Sequence, residues 1–219
     1  MAGCTDSLVK MILQGISVIT FEEDDDEEEW GQAMSASCCL QKLAILRPND
    51  VVPPVVTYAG TNLQMPGWRA KYSGLLALGS ITEGPEKTQF AQVIGQALAS
   101  LMQLCKDQSA KVRKAAVWVL GKICEHHAEV VATPAVSQEL LPLLTAGLKD
   151  TPPISEQCCA ALAGLATSCE PVEGEPANCL TPGFQEILAT LLTNSERQDC
   201  QSSGVNLQQA SLMTMTTLV

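Results

Sequence analysis

An unbroken run of eight carboxylates is the part of this 219-residue chain best suited to binding chemistry. The run consists of Glu22, Glu23, Asp24, Asp25, Asp26, Glu27, Glu28 and Glu29, and Trp30 follows it directly. Adjacent like charges repel and are not buried without partners, so residues 21–30 are expected to form a solvated acidic loop. The chain has 24 acidic and 13 basic residues, and its formal net charge of −11 would be −3 without the run. Such a local charge predicts long-range attraction of a basic partner.

Two indoles could add specificity to this charged surface. Trp118 lies about 130° from the centre of the apolar stripe on its predicted helix, so it should point away from the core. It shares that face with Glu125 and Asp107, and an exposed indole can anchor a partner. The alternative is that Trp118 covers a groove between helices. Trp30 could clip the exit of the loop or stack on an incoming basic helix, whereas Trp68 is expected to fix the start of its own helix.

Catalysis and metal binding have little support. The neighbouring histidines His126–His127 point in different directions on a helix and do not form a ligand pair. No Cys-x-x-Cys occurs, and the adjacent pairs Cys38–Cys39 and Cys158–Cys159 lack zinc-ligand spacing, so the ten cysteines are expected to be buried free thiols. Phosphate-loop, dinucleotide, zincin and nucleophile-elbow motifs are all missing from the sequence. We therefore predict a non-enzyme that needs neither metal nor cofactor.

The composition predicts an all-α protein. Hydrophobic residues make up 46% of the chain and aromatic residues 4%, with Ala, Leu, Val and Gln recurring at helix-compatible spacing. No apolar run approaches the roughly 20 residues that a transmembrane helix needs, and the start of the chain lacks the layout of a secretory signal. The expected class is a soluble, intracellular helical protein.

The helices that must position these residues repeat along the chain. Residues 112–123 place their apolar side chains at i, i+3, i+4, i+7, i+8 and i+11, which is one helical stripe. The same spacing returns about 42 residues upstream and about 43 residues downstream, which is typical of HEAT and armadillo arrays. The equivalent segments are residues 70–81, 112–123 and 155–166, with a weaker copy at 207–218 and equivalent glycines at Gly79, Gly121 and Gly164.

Partner helices are predicted between these segments, which gives about five antiparallel pairs in one α-solenoid segment covering residues 1–219. The predicted partners span residues 89–104, 136–148 and 184–192, and the upstream part adds predicted helices at 8–19, 32–46 and about 52–63. Thr133–Pro134 and Thr181–Pro182 predict an N-cap followed by proline at the first helical position. Pro142 should kink its helix or end its first turn. Neither end of the chain shows a polar cap, so the sequence is expected to be a stretch of a longer array.

Three strings together resemble the importin-beta family of nuclear import receptors, in its middle HEAT repeats. They are Phe-Glu-Glu-Asp-Asp-Asp-Glu-Glu-Glu-Trp at 21–30, Pro-Gly-Trp-Arg-Ala-Lys-Tyr-Ser-Gly-Leu-Leu-Ala-Leu-Gly-Ser-Ile-Thr-Glu-Gly-Pro at 66–85 and Val-Arg-Lys-Ala-Ala-Val-Trp-Val-Leu-Gly-Lys-Ile-Cys-Glu at 112–125. The resemblance extends over nearly the whole chain. The acidic loop combined with the Trp-Arg and Trp-x-x-Gly helices is specific, whereas any single HEAT helix is not.

The resemblance implies a function for these residues. In that family the second helices line a concave surface that receives the basic importin-beta-binding helix of importin-alpha, and the acidic loop helps to hold the adaptor and the GTPase Ran. By that likeness, Glu22–Glu29, Trp30 and Trp118 would contact the basic helix, and Ran in its GTP form would release it. A further concave tryptophan of the family falls near Ala160 or Ala161, so the grip on the adaptor is expected to be weaker or differently arranged.

The implied partners are an importin-alpha-type adaptor or basic cargo helix, Ran, and nucleoporins that bind mostly outside this segment. The resemblance also implies shuttling between cytoplasm and nucleus, with no direct binding of nucleic acid or membrane. The alternative is a passive HEAT scaffold of the phosphatase or translation-assembly type, in which the acidic loop only keeps the protein soluble.

Overall fold

The computed structural model of the chain describes residues 2–22, 31–168, 179–199 and 205–218. Seven of the eight acidic residues, Glu23–Glu29, and Trp30 lie outside this part of the chain. Within the described ranges the regular structure is helical throughout, as the composition predicts. None of these helices combines the length and the apolar character that crossing a membrane requires.

Eleven α-helices are present in the described ranges, and a short 3₁₀ helix at Thr181–Gly183 precedes α10. In chain order they are α1 Ala2–Ile16, α2 Gln32–Leu46, α3 Pro48–Leu63, α4 Trp68–Ser80, α5 Lys87–Leu104, α6 Ala110–His126, α7 Ala128–Val131, α8 Pro134–Gly147, α9 Pro152–Ser168, α10 Phe184–Ser195 and α11 Leu207–Leu218.

The helices divide into two compact units. Unit 1 comprises Met1–Ala97 and Asp107–Ala115, and unit 2 comprises Leu98–Lys106 and Ala116–Val219. The division passes through α5 and α6, so each of these helices contributes residues to both units.

Unit 1 contains two of the predicted helix pairs. α1 packs on α2 and α3 on α4, while α1 also contacts α3 and α2 contacts α4, so first helices lie beside first helices and second beside second. Leu40 of α2, Val55 of α3 and Leu75 of α4 are fully buried in the core. Between α2 and α4 the hydroxyls of Ser37 and Ser80 are 2.8 Å apart and both residues are buried. The packing of one helix pair on the next buries apolar side chains that an isolated pair would leave exposed.

Unit 2 repeats this arrangement. α8 packs on α9, α10 on α11, and the second helices α9 and α11 lie side by side. The part of α6 in unit 2 approaches α9 closely, because a Cβ on Gly121 would lie 3.6 Å from the Cα of Ala161. The core contains Leu144, Leu162 and Leu191, all fully buried.

Pro142 does not end the first turn of its helix, α3 begins earlier than predicted, and the cap predicted at Thr181 is wrong. Pro142 lies inside α8, which continues to Gly147, because the apolar residues of that helix remain buried despite the missing N–H donor. α3 begins at Pro48, four residues before its predicted start, so Pro53 and Pro54 are interior residues. The predicted cap Thr181 is instead the first residue of the 3₁₀ helix, and Gly183 is the N-cap of α10.

Thr133 and Pro134 take the predicted positions of N-cap and first helical residue of α8. Thr133 has an extended backbone, but its side chain makes no capping hydrogen bond. The fixed φ of Pro134 therefore defines this helix start without help from the threonine hydroxyl.

Candidate partner-binding site

The start of the acidic run is fixed to α4 by an aromatic cluster. Phe21, the residue before the first carboxylate, is 6% exposed. Its ring centroid lies 5.7 Å from that of Trp68 and 5.4 Å from that of Tyr72, the latter in an edge-to-face arrangement. Such aromatic pairs contribute beyond their buried area. The position from which the acidic run departs is therefore defined by packing on α4.

Arg69 holds the first acidic residue. Its Nη2 lies 2.7 Å from Oε2 of Glu22 and 3.4 Å from the carbonyl oxygen of Phe21. The guanidinium carbon lies 4.6 Å from the ring centroid of Trp68, at cation–π distance. The side chains of Arg69 and Glu22 are 45% and 75% exposed, so solvent screens this ion pair strongly. Glu22 is thus paired within the chain, although weakly.

A second and more buried ion pair joins α4 to the residues just before α6, within unit 1. Lys71 Nζ is 2.6 Å from Oδ2 of Asp107, and the two side chains are 27% and 15% exposed. Burial acts to raise the pKa of Asp107, but the hydrogen bonds from Lys71 and from the backbone N–H of Ser109, with the charges of Lys71 and Arg113, hold that pKa below its ordinary value. Asp107 is therefore engaged within the chain as an ionised carboxylate.

Lys111 is a further cation beside Phe21, which together with Glu22 forms the start of the acidic run; these two residues are called the stem here. It is 8% exposed, and its Nζ lies 5.2 Å from the ring centroid of Phe21. Sequence reasoning missed the roles of Phe21, Arg69 and Lys71. The available signal was the Trp-Arg-Ala-Lys string, which places two cations in the first turn of the helix that follows the acidic run.

Trp118 of α6, whose side chain was expected to point away from the core, is half-buried. Its equivalents in the neighbouring copies, Leu76 and Ala161, are 5% and 0% exposed. The face predicted to point away from the core therefore contacts neighbouring helices in those copies. The physical reason is that second helices pack side by side, which covers positions about 130° from the stripe.

Glu125 is exposed at the end of α6 but already has a partner. Lys122 Nζ lies 2.9 Å from its Oε2, and Nε2 of His126 lies 3.6 Å from the same oxygen. The hydrogen bond from Lys122 holds the pKa of Glu125 below its ordinary value, against the opposing effect of burial. A basic partner that binds here must compete with Lys122.

The described cysteines and histidines were candidates for metal binding. No cluster of three or more potential ligands forms a metal site in the described part of the chain. The prediction that the thiols are buried was wrong for Cys38 and Cys39, which are exposed on α2. Burial raises the pKa of Cys105 to about 12 and that of Cys159 to about 11, so both thiols are protonated at neutral pH.

Paired antiparallel helices, with first helices beside first and second beside second, define the class as an all-α solenoid of HEAT type, as predicted. A profile described as HEAT-like repeat matches residues 68–123 and 110–165. A second profile, described as Importin subunit beta-1-like, TPR repeats, matches residues 139–219.

Importin subunit beta-1 of Arabidopsis thaliana is 32% identical over 202 residues, which are 90% of this chain and 23% of that protein. A crystal structure of importin beta, obtained in a polyethylene glycol condition, superposes with a TM-score of 0.87 at 26% identity, covering 99% of this chain and 26% of the other. A structure concerning Kap95p binding to RanGDP has a TM-score of 0.84 at 25% identity, covering 100% of this chain and 25% of that one. These similarities confirm the predicted resemblance to the importin-beta family. It spans less than a quarter of the length of the curated relative.

Proposed function

We propose that this segment is part of a nuclear import receptor and binds Arg/Lys-rich helices of cargo or of an importin-alpha-type adaptor along its second helices. The observation that carries the proposal is the anchoring of Phe21 between Trp68 and Tyr72. This packing fixes the residue before Glu22 against α4, which is the second helix of its pair. The acidic run therefore begins at a defined position on the surface formed by second helices.

Electrostatics would bring the partner in. An Arg/Lys-rich helix is steered towards the acidic run, and its association rate and affinity fall as salt rises. Trp30 and Trp118 would then contact the aliphatic stems and charges of the bound helix, with Glu125 as an additional carboxylate. The half-buried state of Trp118 is compatible with this role, since an indole held by its own helices loses little freedom on binding.

Release would be controlled by Ran in its GTP form, which competes for part of the same surface. The similarity to a Kap95p structure concerned with RanGDP supports Ran as a partner. Nucleoporin contacts, mostly outside this segment, and shuttling between cytoplasm and nucleus belong to the same proposal. The function is binding and not catalysis, and it involves no direct contact with nucleic acid or membrane.

Replacement of the acidic run tests the proposal. A fluorescent Arg/Lys-rich helical peptide is titrated with the wild-type chain, with Glu22–Glu29 replaced by Gly/Ser, and with Trp118→Ala. We expect about tenfold weaker binding and a shallower salt dependence without the run, and weaker binding with unchanged salt dependence for Trp118→Ala. The matched control carries Gln at eight exposed carboxylates elsewhere, namely Asp6, Asp50, Glu83, Glu86, Glu129, Glu139, Glu186 and Glu196.

Unchanged affinity in both test variants, or an equal loss in the control, would overturn the receptor proposal. Pull-down with Ran loaded with GTP, compared with GDP, tests the release step. Preferential capture of the GTP form is expected, and equal capture or none contradicts control by Ran.

A passive scaffold is the second candidate, and one observation favours it. Glu22 lies 2.7 Å from Arg69 and Glu125 lies 2.9 Å from Lys122. Carboxylates that are already paired within the chain can keep a surface soluble without binding a basic partner. A scaffold of this kind would bind the basic peptide equally before and after these substitutions, whereas a receptor would bind it more weakly after them, so the same titration separates the two candidates.

A further inference from the structure

The cation-binding groups beside the acidic stem are occupied by an arginine of the chain itself. Arg69 lies over the ring of Trp68 at 4.6 Å and donates to the carboxylate of Glu22 at 2.7 Å. An aromatic face together with a carboxylate is a pair of contacts that binds a guanidinium in proteins. All three residues belong to unit 1.

We propose that Trp68 and Glu22 form a guanidinium subsite for an arginine of the basic partner, and that Arg69 is an internal competitor which the partner displaces. This inference rests on the proposed function, because it requires that the segment binds a basic helix. It assigns a binding role to Trp68, which sequence reasoning treated as structural, and makes Arg69 a residue that sets the affinity.

Exposure indicates that Arg69 can be displaced. Its side chain is 45% exposed and that of Glu22 is 75% exposed, so the pair is screened by solvent and contributes little to stability. The neighbouring pair of Lys71 and Asp107 is more buried and has further hydrogen bonds, so it stays in place. The stem therefore has one fixed ion pair and one that can exchange.

The stem does not depend on Arg69 for its position. Phe21 is buried against Trp68 and Tyr72, whereas the hydrogen bond from Arg69 to the Phe21 carbonyl is long, at 3.4 Å. Loss of the Arg69 side chain should leave Phe21 in place and remove the guanidinium that competes with the partner for the indole and the carboxylate. A purely structural role for Arg69 gives the opposite expectation, since a loosened stem would weaken binding.

The test compares Arg69→Gln with Lys10→Gln. Lys10 pairs with Asp6 at 2.9 Å in an exposed pair on α1, so its substitution removes the same charge without touching the stem. The affinity of an Arg-rich helical peptide is measured for both variants and the wild type at low and at physiological salt. We expect Arg69→Gln to bind about three- to tenfold more tightly than wild type, and Lys10→Gln to change less than about twofold.

A double variant identifies the subsite. Adding Glu22→Gln to Arg69→Gln should abolish the gain without removing the aromatic packing of Phe21, and a peptide with Lys at every Arg position should gain less, because lysine lacks the planar bidentate group. Far-ultraviolet circular dichroism and thermal unfolding establish that each variant is folded.

The outcomes separate the two proposals. If the wild type binds the peptide and Arg69→Gln binds equally or more weakly, the competitor role is overturned while the proposed function stands. If no form of the chain binds the peptide, the proposed function fails and this inference fails with it.

Discussion

Asn194 of α10 reaches the end of α8, where its Nδ2 lies 2.7 Å from the carbonyl oxygen of Leu148 and 2.9 Å from the hydroxyl of Ser155. Ser155 itself donates to the same Leu148 carbonyl at 2.8 Å. Asn194 and Ser155 are 3% and 0% exposed. A single buried amide therefore joins consecutive helix pairs of unit 2 through the turn between α8 and α9.

Substitution Asn194→Ala should lower the free energy of unfolding by about 2 kcal/mol, since it removes buried hydrogen bonds and leaves a small cavity. Chemical denaturation followed by circular dichroism measures the change. Gln185→Ala, at an exposed position of the same helix, is the control and should change stability by less than about 0.5 kcal/mol. Equal effects of the two substitutions would show that the buried amide has no special role.

Gly84→Ala should destabilise unit 1 strongly. Gly84 has φ +114°, a conformation that other residues rarely adopt, and an added Cβ would lie 2.7 Å from the Cα of Ile45 and 2.9 Å from the carbonyl oxygen of Ala44. Backbone atoms cannot rotate away, so we expect a loss of about 2 to 4 kcal/mol. Thermal and urea unfolding provide the measurement.

Gly60→Ala is the matched substitution and should have the opposite sign. Gly60 is exposed within α3, and apart from its chain neighbours and the backbone of its own helix no atom lies within 4 Å of its added Cβ. Alanine has the higher helix propensity, so stability should rise by about 0.5 to 1 kcal/mol. A similar loss of stability for both glycine substitutions would contradict the geometry described at Gly84.

Asp107→Asn should have an effect on stability that depends on pH. The pKa of Asp107 is lowered in the folded chain, so the carboxylate stabilises the fold above its unfolded pKa of about 4, and this contribution is lost as pH falls through the lower folded value. We expect a loss of about 1 kcal/mol at pH 7 that shrinks below about pH 4. Urea unfolding at several pH values tests this, and a difference that stays constant with pH would contradict the ionised pair with Lys71.

The cysteines should separate into two groups in their reaction with a thiol reagent. Cys38 and Cys39 are exposed, whereas burial raises the pKa values of Cys105, Cys158 and Cys159 and keeps those thiols protonated. Alkylation of the native chain, with peptide mapping, should label the first two residues rapidly and the other three only after unfolding. Rapid native labelling of Cys158 would contradict its burial.

The helical repeat could be predicted from the sequence because an amphipathic helix has a local signature. α2 begins and ends where its apolar spacing predicts, at Gln32 and Leu46. α8 could not be predicted as fully, since its continuation through Pro142 depends on burial of Leu140, Leu141 and Leu144 against other helices. Tertiary packing there outweighs the local cost of a missing hydrogen bond.

The features of the candidate site also separate into those that local sequence predicts and those that depend on packing. Periodicity and a block of like charges are properties of neighbouring residues, so the all-α class, the repeat of helix pairs and the place of the acidic run follow from the amino-acid order. The pairing of Arg69 with Glu22, the pairing of Lys71 with Asp107 and the half-buried state of Trp118 depend on how the helices pack. The two ion pairs join residues 47 and 36 positions apart, and the exposure of the indole depends on helices packed around it, so neither is encoded in local spacing.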